Sequence, residues 1–223
     1  EATFNRATPY TGGPFYAGDL VAKHESPANV NYLLRPNSAE ITTSNGYFSA
    51  LADCEIDLNK TYHVAMTYNG STLRFYRNGF LLKEVAASGT LYQNNYITRI
   101  GYYNSAFVNT QFVGYINEVR IWSTARTPTH IRQYMNSSLP SPTPQAGLLA
   151  YYTFANLLNK QGNATYNGVF NGSPTINATN PQCNFTADSC NIIVPTADTI
   201  INSYTPVLAL DICKNKITVE DAS

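Results

Sequence analysis

Tyr62-His-Val-Ala-Met-Thr-Tyr-Asn-Gly-Ser-Thr-Leu-Arg-Phe-Tyr-Arg-Asn-Gly-Phe-Leu-Leu-Lys-Glu-Val-Ala86 is the stretch that decides the fold. Three apolar, aromatic-rich runs (Tyr62 to Tyr68, Thr72 to Arg77, Phe80 to Ala86) are separated by Asn69-Gly70 and Asn78-Gly79. Both central positions of a two-residue type I′ turn need positive φ, which Asn and Gly tolerate, so each pair predicts a tight hairpin. Together they predict a three-stranded antiparallel meander.

The flanks extend the same pattern. Asp19 to Lys23, Val30 to Arg35, Ala39 to Thr43 and Tyr47 to Leu51 read as short strands separated by Gly, Pro, Asn and Ser. Tyr96 to Tyr102, Phe112 to Trp122, Leu148 to Phe154 and Gly168 to Asn177 follow as further strands. Short strands at this spacing predict an all-β antiparallel sandwich of the jelly-roll type. One short helix interrupts them. Thr127 can cap it, Pro128 suits its first position, and Ile131, Tyr134 and Met135 repeat at helical spacing to about Asn136. In the last long strand, Phe112, Gly114 and Ile116 share one parity, while Val119 and Ile121 share the other. A bulge near Asn117-Glu118 would turn both sets toward the core.

Fourteen basic residues balance fourteen acidic ones. That excludes the electrostatic footprint of a nucleic-acid partner and a polybasic membrane patch. The longest apolar run is too short to span a bilayer, so no direct membrane insertion is expected. The surface is instead rich in Asn, Thr, Ser and Tyr, as in secreted proteins. A start at Glu1 without an initiator Met fits a trimmed N-terminus. Seven Asn-x-Ser/Thr sequons begin at Asn59, Asn69, Asn136, Asn163, Asn171, Asn177 and Asn184. In so Asn-rich a chain they mark polar surface more than glycosylation.

Cys54, Cys183, Cys190 and Cys213 lack metal-site spacing and are disulfide candidates. Pairing as Cys54–Cys183 and Cys190–Cys213 competes with a local Cys183–Cys190 loop. Beyond about Pro181 the composition changes, and Val207 to Val219 reads as a fresh hairpin around Lys214-Asn215. The expected organisation is a sandwich over 1–180, then a linker and the truncated start of a second module over 181–223.

At this point the residues carry a family resemblance. Tyr62-His63-Val64-Ala65-Met66-Thr67-Tyr68 resembles the aromatic-His-Val-Ala strand of laminin G-like, concanavalin-type domains. Leu73 to Gly79 is similar to their next strand and turn, and Ile100-Gly101 to their Ile-Gly strand end. Phe112-Val113-Gly114-Tyr115-Ile116-Asn117-Glu118-Val119-Arg120-Ile121-Trp122 resembles their most specific motif, with Asn117 where many members have Asp. Ala125-Arg126-Thr127, Gly147 to Phe154 and Tyr166-Asn167-Gly168 follow in the family's order. Members usually carry a further strand or two before the segment matching Glu1 to Phe4, so the resemblance implies a sandwich edge open to another strand. The tail from Ala209 to Val219 resembles a module start in very large surface proteins of gliding Bacteroidetes-type bacteria. That likeness implies export through a type IX secretion route to the cell surface and a role in attachment or motility. Asp198-Thr199-Ile200 fits the short O-glycosylation pattern of that group.

Jelly-roll β-glucanases use Glu-x-Asp-x-Glu on one strand, where alternation puts three carboxylates on one face. Glu55-Ile56-Asp57-Leu58-Asn59 approaches that pattern, but Asn59 is an amide and cannot move a proton, so no catalytic residues are assigned. His63 reads as a structural histidine. Glu118 is expected to be partly buried against an Arg or backbone N–H groups, or else to serve as a calcium ligand. No cofactor is required, and calcium is the possible one. Trp122 reads as a core plug beneath the helix. Tyr102, Tyr103, Asn104, Phe107 and Asn109 form a loop of rings and amides suited to sugar, flanked by Tyr92, Asn94, Asn95 and Tyr96. The expectation is a non-catalytic module of an exported cell-surface adhesin. Its partners would be a glycan or surface protein and other modules of the same polypeptide. The alternatives are an accessory carbohydrate-binding domain of a secreted polysaccharide-degrading enzyme and a spacer without a ligand.

Overall fold

The computed structural model describes residues 1–9, 18–25, 29–102, 111–140, 145–177 and 216–219. In chain order its strands begin with β1 (Ala2–Arg6), β2 (Val21–Lys23), β3 (Tyr32–Leu34), β4 (Ser38–Thr43) and β5 (Gly46–Leu51). The meander follows as β6 (Thr61–Tyr68), β7 (Thr72–Arg77) and β8 (Phe80–Ala86). Then come β9 (Arg99–Ile100), β10 (Gly114–Trp122), the helix α1 (Pro128–Tyr134), β11 (Leu148–Tyr152), β12 (Thr175–Asn177) and β13 (Lys216–Val219). One sheet runs β12-β13-β10-β1-β6-β7-β8, with β11 also on β10; the other runs β5-β4-β3-β2-β9. Every pairing between them is antiparallel.

The sheets bury one apolar core. Phe4, Val64, Phe75, Ile116 and Val119 come from the first sheet and Leu34, Ile41 and Ala50 from the second. Phe4 stacks on Tyr62 at 5.8 Å and meets Phe112 edge-on at 5.7 Å. This is the antiparallel sandwich that the sequence predicts. The expected bulge is also present. Thr3 pairs with Glu118 and Phe4 with Ile116, so Asn117 is the extra residue and both Ile116 and Val119 point inward. Gly114 opens β10 at φ +149°, and a Cβ there would lie 2.2 Å from the Asn5 carbonyl, so only glycine permits this close approach of β1.

The two Asn-Gly turns differ. Asn78 (φ 50°) and Gly79 (φ 78°) form the two-residue turn between Arg77 and Phe80. At the other, only Gly70 has positive φ. The expected type I′ turn is replaced by a longer loop, because the Asn69 Oδ1 accepts from Ser71 N at 3.1 Å and Thr72 N at 2.9 Å. The side chain thereby supplies the closing bonds that the backbone otherwise makes.

Helix α1 starts as predicted, with Thr127 Oγ1 accepting from His130 N at 3.2 Å and Pro128 in the first turn. Ile131 packs on Ala65, Tyr76 and Leu81, so the helix lies on the outer face of the meander. β1 was not among the expected strands, yet it lies between β10 and β6. Two expected strands shrink. Only Arg99–Ile100 of Tyr96 to Tyr102, and Thr175–Asn177 of Gly168 to Asn177, join a ladder. β13, which the sequence places in a second module, pairs with Gly114 to Ile116 and with β12. The rest of that expected segment, 181–215 and 220–223, lies outside the described residues. Among the described residues, no helix is long and apolar enough to cross a membrane.

Candidate functional site

The loop singled out for sugar begins at Tyr102, which is half-buried; Tyr103, Asn104, Phe107 and Asn109 lie outside the described residues. Its two ends are pinned together, since Phe112 N donates to the Gly101 carbonyl at 3.0 Å and Gly101 N donates to Leu20 O at 3.0 Å. The flanking segment is a fixed shelf that crosses the ends of β4, β3 and β2 on its way to β9. Asn94 Nδ2 donates to Asn29 O at 3.0 Å, and Lys23 Nζ donates to Tyr96 O at 2.6 Å. Asn31 Nδ2 donates to Tyr92 O, and Tyr92 N donates to Thr42 O at 2.8 Å. These bonds explain why the segment is not a strand: side chains satisfy its backbone. They also sort the expected flanking residues. The Asn94 amide is committed to the scaffold, whereas the Tyr92 ring stays 40% exposed and Asn95 is exposed. An exposed ring on a fixed backbone can stack on sugar C–H groups without first being ordered.

Two buried ionic clusters lie elsewhere. Beneath α1, Arg120 Nε donates to Glu118 Oε1 at 2.5 Å, while its terminal nitrogens donate to Tyr134 O at 2.9 Å and Ser137 O at 2.6 Å. Glu1 Oε2 lies 3.4 Å from His63 Nε2 and 3.7 Å from Arg120. Burial pushes the Glu118 carboxyl up to about 7, against the pull of Arg120, and burial pushes His63 down. So Glu118 has the Arg partner expected of a buried carboxylate, and His63 is enclosed within the same cluster. In the second sheet, Arg35 holds Asp19 at 2.8 Å and Glu40 at 2.6 Å, and Glu40 accepts from Tyr47 Oη at 2.6 Å. Burial opposes the charge of Arg35, but Asp19 and Glu40 raise its pKa above the ordinary value. Sequence reading missed Arg120 and Arg35, because their partners are set by register and packing rather than by a motif.

Among the described residues, no group of three His, Cys, Asp or Glu side chains is placed to hold a metal ion. The Glu55 to Asn59 segment lies outside any strand and turns at Asn59 (φ 58°), so its carboxylates do not share a strand face. Asp57 is instead exposed and pairs with Lys60 at 2.7 Å. Trp122 is half-buried beside Leu139, Leu148 and Tyr151, with the Arg126 guanidinium 4.0 Å over its ring. Cys54, the described cysteine, is disulfide-bonded; Cys183, Cys190 and Cys213 lie outside the described residues.

A cleft of about 280 Å³ opens where β6 and β10 outrun β1. Leu34 and Ile41 of the second sheet line it on one side, Met66 and Ile121 line it from the first sheet, and Ile131 of α1 lines it from beyond.

The fold is a two-sheet antiparallel β-sandwich of the jelly-roll type. The match to known families agrees: residues 5–132, more than half of the chain, match the Concanavalin A-like lectin/glucanases superfamily, in its laminin G-type division. The chain belongs to this superfamily. Among solved structures it is similar to a Bacteroides ovatus protein provisionally named as carbohydrate binding, at 20% identity and a TM-score of 0.54. That similarity covers 74% of this chain and 48% of the other, so the chain spans about half the length of that relative. A heptameric pentraxin from Limulus polyphemus is similar at 14% identity and a TM-score of 0.42, covering 59% of this chain and 65% of that one. No curated protein matches the chain in sequence.

Proposed function

We propose that this chain is a non-catalytic carbohydrate-binding module of an exported cell-surface protein. The observation that carries this reading is the rigid aromatic shelf, Tyr92 to Tyr102, on a lectin-type sandwich. Its backbone is fixed by Asn31, Asn94 and Lys23, and its Tyr92 ring faces solvent. The ligand-binding residues are Tyr102, Tyr103, Asn104, Phe107 and Asn109, with Tyr92 and Asn95 alongside. The rings stack on the apolar face of a sugar, and the amides bond its hydroxyls.

A non-catalytic role is supported by the state of the enclosed carboxylates. Asp19 and Glu40 are held by Arg35, Glu118 by Arg120, and Glu1 faces His63. Glycoside hydrolysis needs two carboxyl groups facing each other across an open cleft, one of them free to give a proton. Attachment to a surface glycan, as part of an adhesin, is the role that the tail's likeness to gliding-bacterial surface proteins supports. The alternative places the same module beside a polysaccharide-degrading domain. A glycan array with the purified chain separates the two. Binding to host or cell-surface glycans supports the adhesin, and binding to plant or algal polymers supports the accessory domain. No binding to any glycan on the array overturns the carbohydrate reading.

A further inference from the structure

The outer face of the second sheet carries two exposed tyrosines in one row. Phe48 and Leu91 both pack against the core, so their chain neighbours Tyr47 and Tyr92 turn to the opposite face. Tyr47 pairs with Thr42 across β5 and β4. On the other side of β4, Leu91 bridges Thr43, and Tyr92 N donates to Thr42 O at 2.8 Å. Tyr47, Thr42 and Tyr92 therefore stand side by side on three neighbouring backbones. Thr42 directs its N–H to Val30 O and its carbonyl to Tyr92 N, so Tyr47 is its close, non-hydrogen-bonded partner. One close and one wide antiparallel spacing put the Tyr47 and Tyr92 Cα atoms about 10 Å apart.

Both tyrosines are ordered without a ligand. Tyr47 is 48% exposed, yet its hydroxyl donates to Glu40 Oε2 at 2.6 Å. That carboxylate is buried and accepts from Arg35 at 2.6 Å and from Ser38 Oγ at 3.1 Å. The hydroxyl end is thus pinned at the sheet surface, and the ring lies over β4 with one face outward. Burial and the Glu40 carboxylate both raise the Tyr47 pKa, so the hydroxyl keeps its proton and its bond. Tyr92 is 40% exposed on a backbone anchored by Thr42 and Asn31. Thr42, between the two rings, is half-buried and too small to form a wall. The exposed residues beside the rings in the chain, Ser44, Asn45, Gln93 and Asn95, carry hydroxyls and amides and no charge.

We propose that Tyr47 is a second stacking residue of the glycan site, and that the Tyr47–Thr42–Tyr92 row takes an uncharged, extended, β-1,4-linked glycan lying across β5, β4 and the shelf. This rests on the carbohydrate reading of the Tyr92 shelf. One pyranose cannot cover two rings set this far apart. In an extended, equatorially linked chain the sugars alternate in facing, so every second unit presents the same flat side. The first and third units then stack on Tyr92 and Tyr47, while the middle unit crosses Thr42. An α-1,4-linked chain coils away from a flat row. The neutral neighbours offer an anionic chain no countercharge.

Titration calorimetry with oligosaccharides of two, four and six units tests this. The neutral β-1,4-linked series are those of glucose, mannose, xylose and N-acetylglucosamine; α-1,4-linked glucose and galacturonate series are the comparison. At least one neutral β-1,4 series is expected to gain about tenfold or more in affinity from two units to four, and little from four to six. Tyr47→Leu removes that gain and leaves the two-unit affinity unchanged, while Tyr47→Phe, which keeps the ring, retains it. Both variants lose the Glu40 bond, so a fall in Tm common to them reports that loss and not the ring. Tighter binding of the α-linked or anionic series, or a length gain that survives Tyr47→Leu, overturns the proposal. If Tyr92→Ala abolishes binding and Tyr47→Leu leaves it unchanged, this inference falls and the carbohydrate reading stands. If no series binds, or neither substitution weakens binding, both fall.

Discussion

Arg120 and Glu118 stand two residues apart on β10 and face the same side of the sheet, joined by a 2.5 Å bond from Arg120 Nε to Glu118 Oε1. The same guanidinium reaches the carbonyls of Tyr134 and Ser137, at and just beyond the end of α1. One side chain therefore neutralises a buried carboxylate and bonds two carbonyls at and beyond the helix end, of which Tyr134 O also accepts from Ser137 N at 3.2 Å. The bulge at Asn117 makes this possible, because it turns Glu118 and Arg120 outward while Ile116 and Val119 remain in the core.

Removing Arg120 strands Glu118 in a buried site. Arg120→Met is expected to lower unfolding free energy by about 3–5 kcal/mol, and the double variant with Glu118→Leu to recover part of that loss. Urea unfolding of the three proteins measures both effects. Equal losses in the single and double variants would show that the pair is not the unit.

The pH dependence has a definite sign. Glu118 titrates near 7 in the folded chain, above its ordinary 4.5. Its raised pKa favours folding fully below about pH 4.5, and that contribution is lost as pH rises through about 7. Between about pH 5 and pH 8, wild type should lose stability relative to Glu118→Gln, on the order of 1–3 kcal/mol in total. Parallel curves for the two proteins would contradict this.

The Asn78-Gly79 turn couples the meander to the helix. Gly79 has φ +78°, and a Cβ there would lie 2.6 Å from Arg132 Cγ and 3.0 Å from Met135 Sδ. Gly79→Ala is expected to destabilise by about 1–3 kcal/mol through backbone strain and displacement of α1. Gly70→Ala meets nothing within 4 Å and should be felt less, through its φ of +93° alone. Thermal unfolding of both variants gives the comparison.

Cys54 is disulfide-bonded, and peptide mapping without reductant is expected to recover it linked to Cys183. Cys54→Ser should then lower stability by about 2–4 kcal/mol. Recovery of Cys183 linked to Cys190 would contradict that pairing.

The parts of the fold visible in the sequence are those fixed by local chemistry. Asn78-Gly79 sets its turn by φ alone, and Thr127-Pro128 starts its helix by capping alone. The parity switch between Ile116 and Val119 predicts a bulge near Asn117-Glu118, and the register puts it at Asn117. What stayed hidden depends on distant partners. β1 is five residues long with only Ala2 and Phe4 apolar in alternation, and its central place comes from neighbours more than fifty residues away. Asn69 resembles Asn78 in sequence, but its side chain closes the loop instead of its φ. The site divides in the same way. The rings of Tyr92 to Tyr102 could be picked out by composition, whereas the commitment of Asn94 to the Lys23 and Asn29 carbonyls could not.

The most direct measurement is affinity for the best-binding polysaccharide from the array, compared among wild type, Tyr92→Ala and Tyr102→Ala by isothermal titration. Wild type is expected to bind measurably and each variant to lose about tenfold or more, with Tm unchanged for the exposed Tyr92. Binding that survives both substitutions unchanged would contradict a glycan site at the Tyr92 to Asn109 surface.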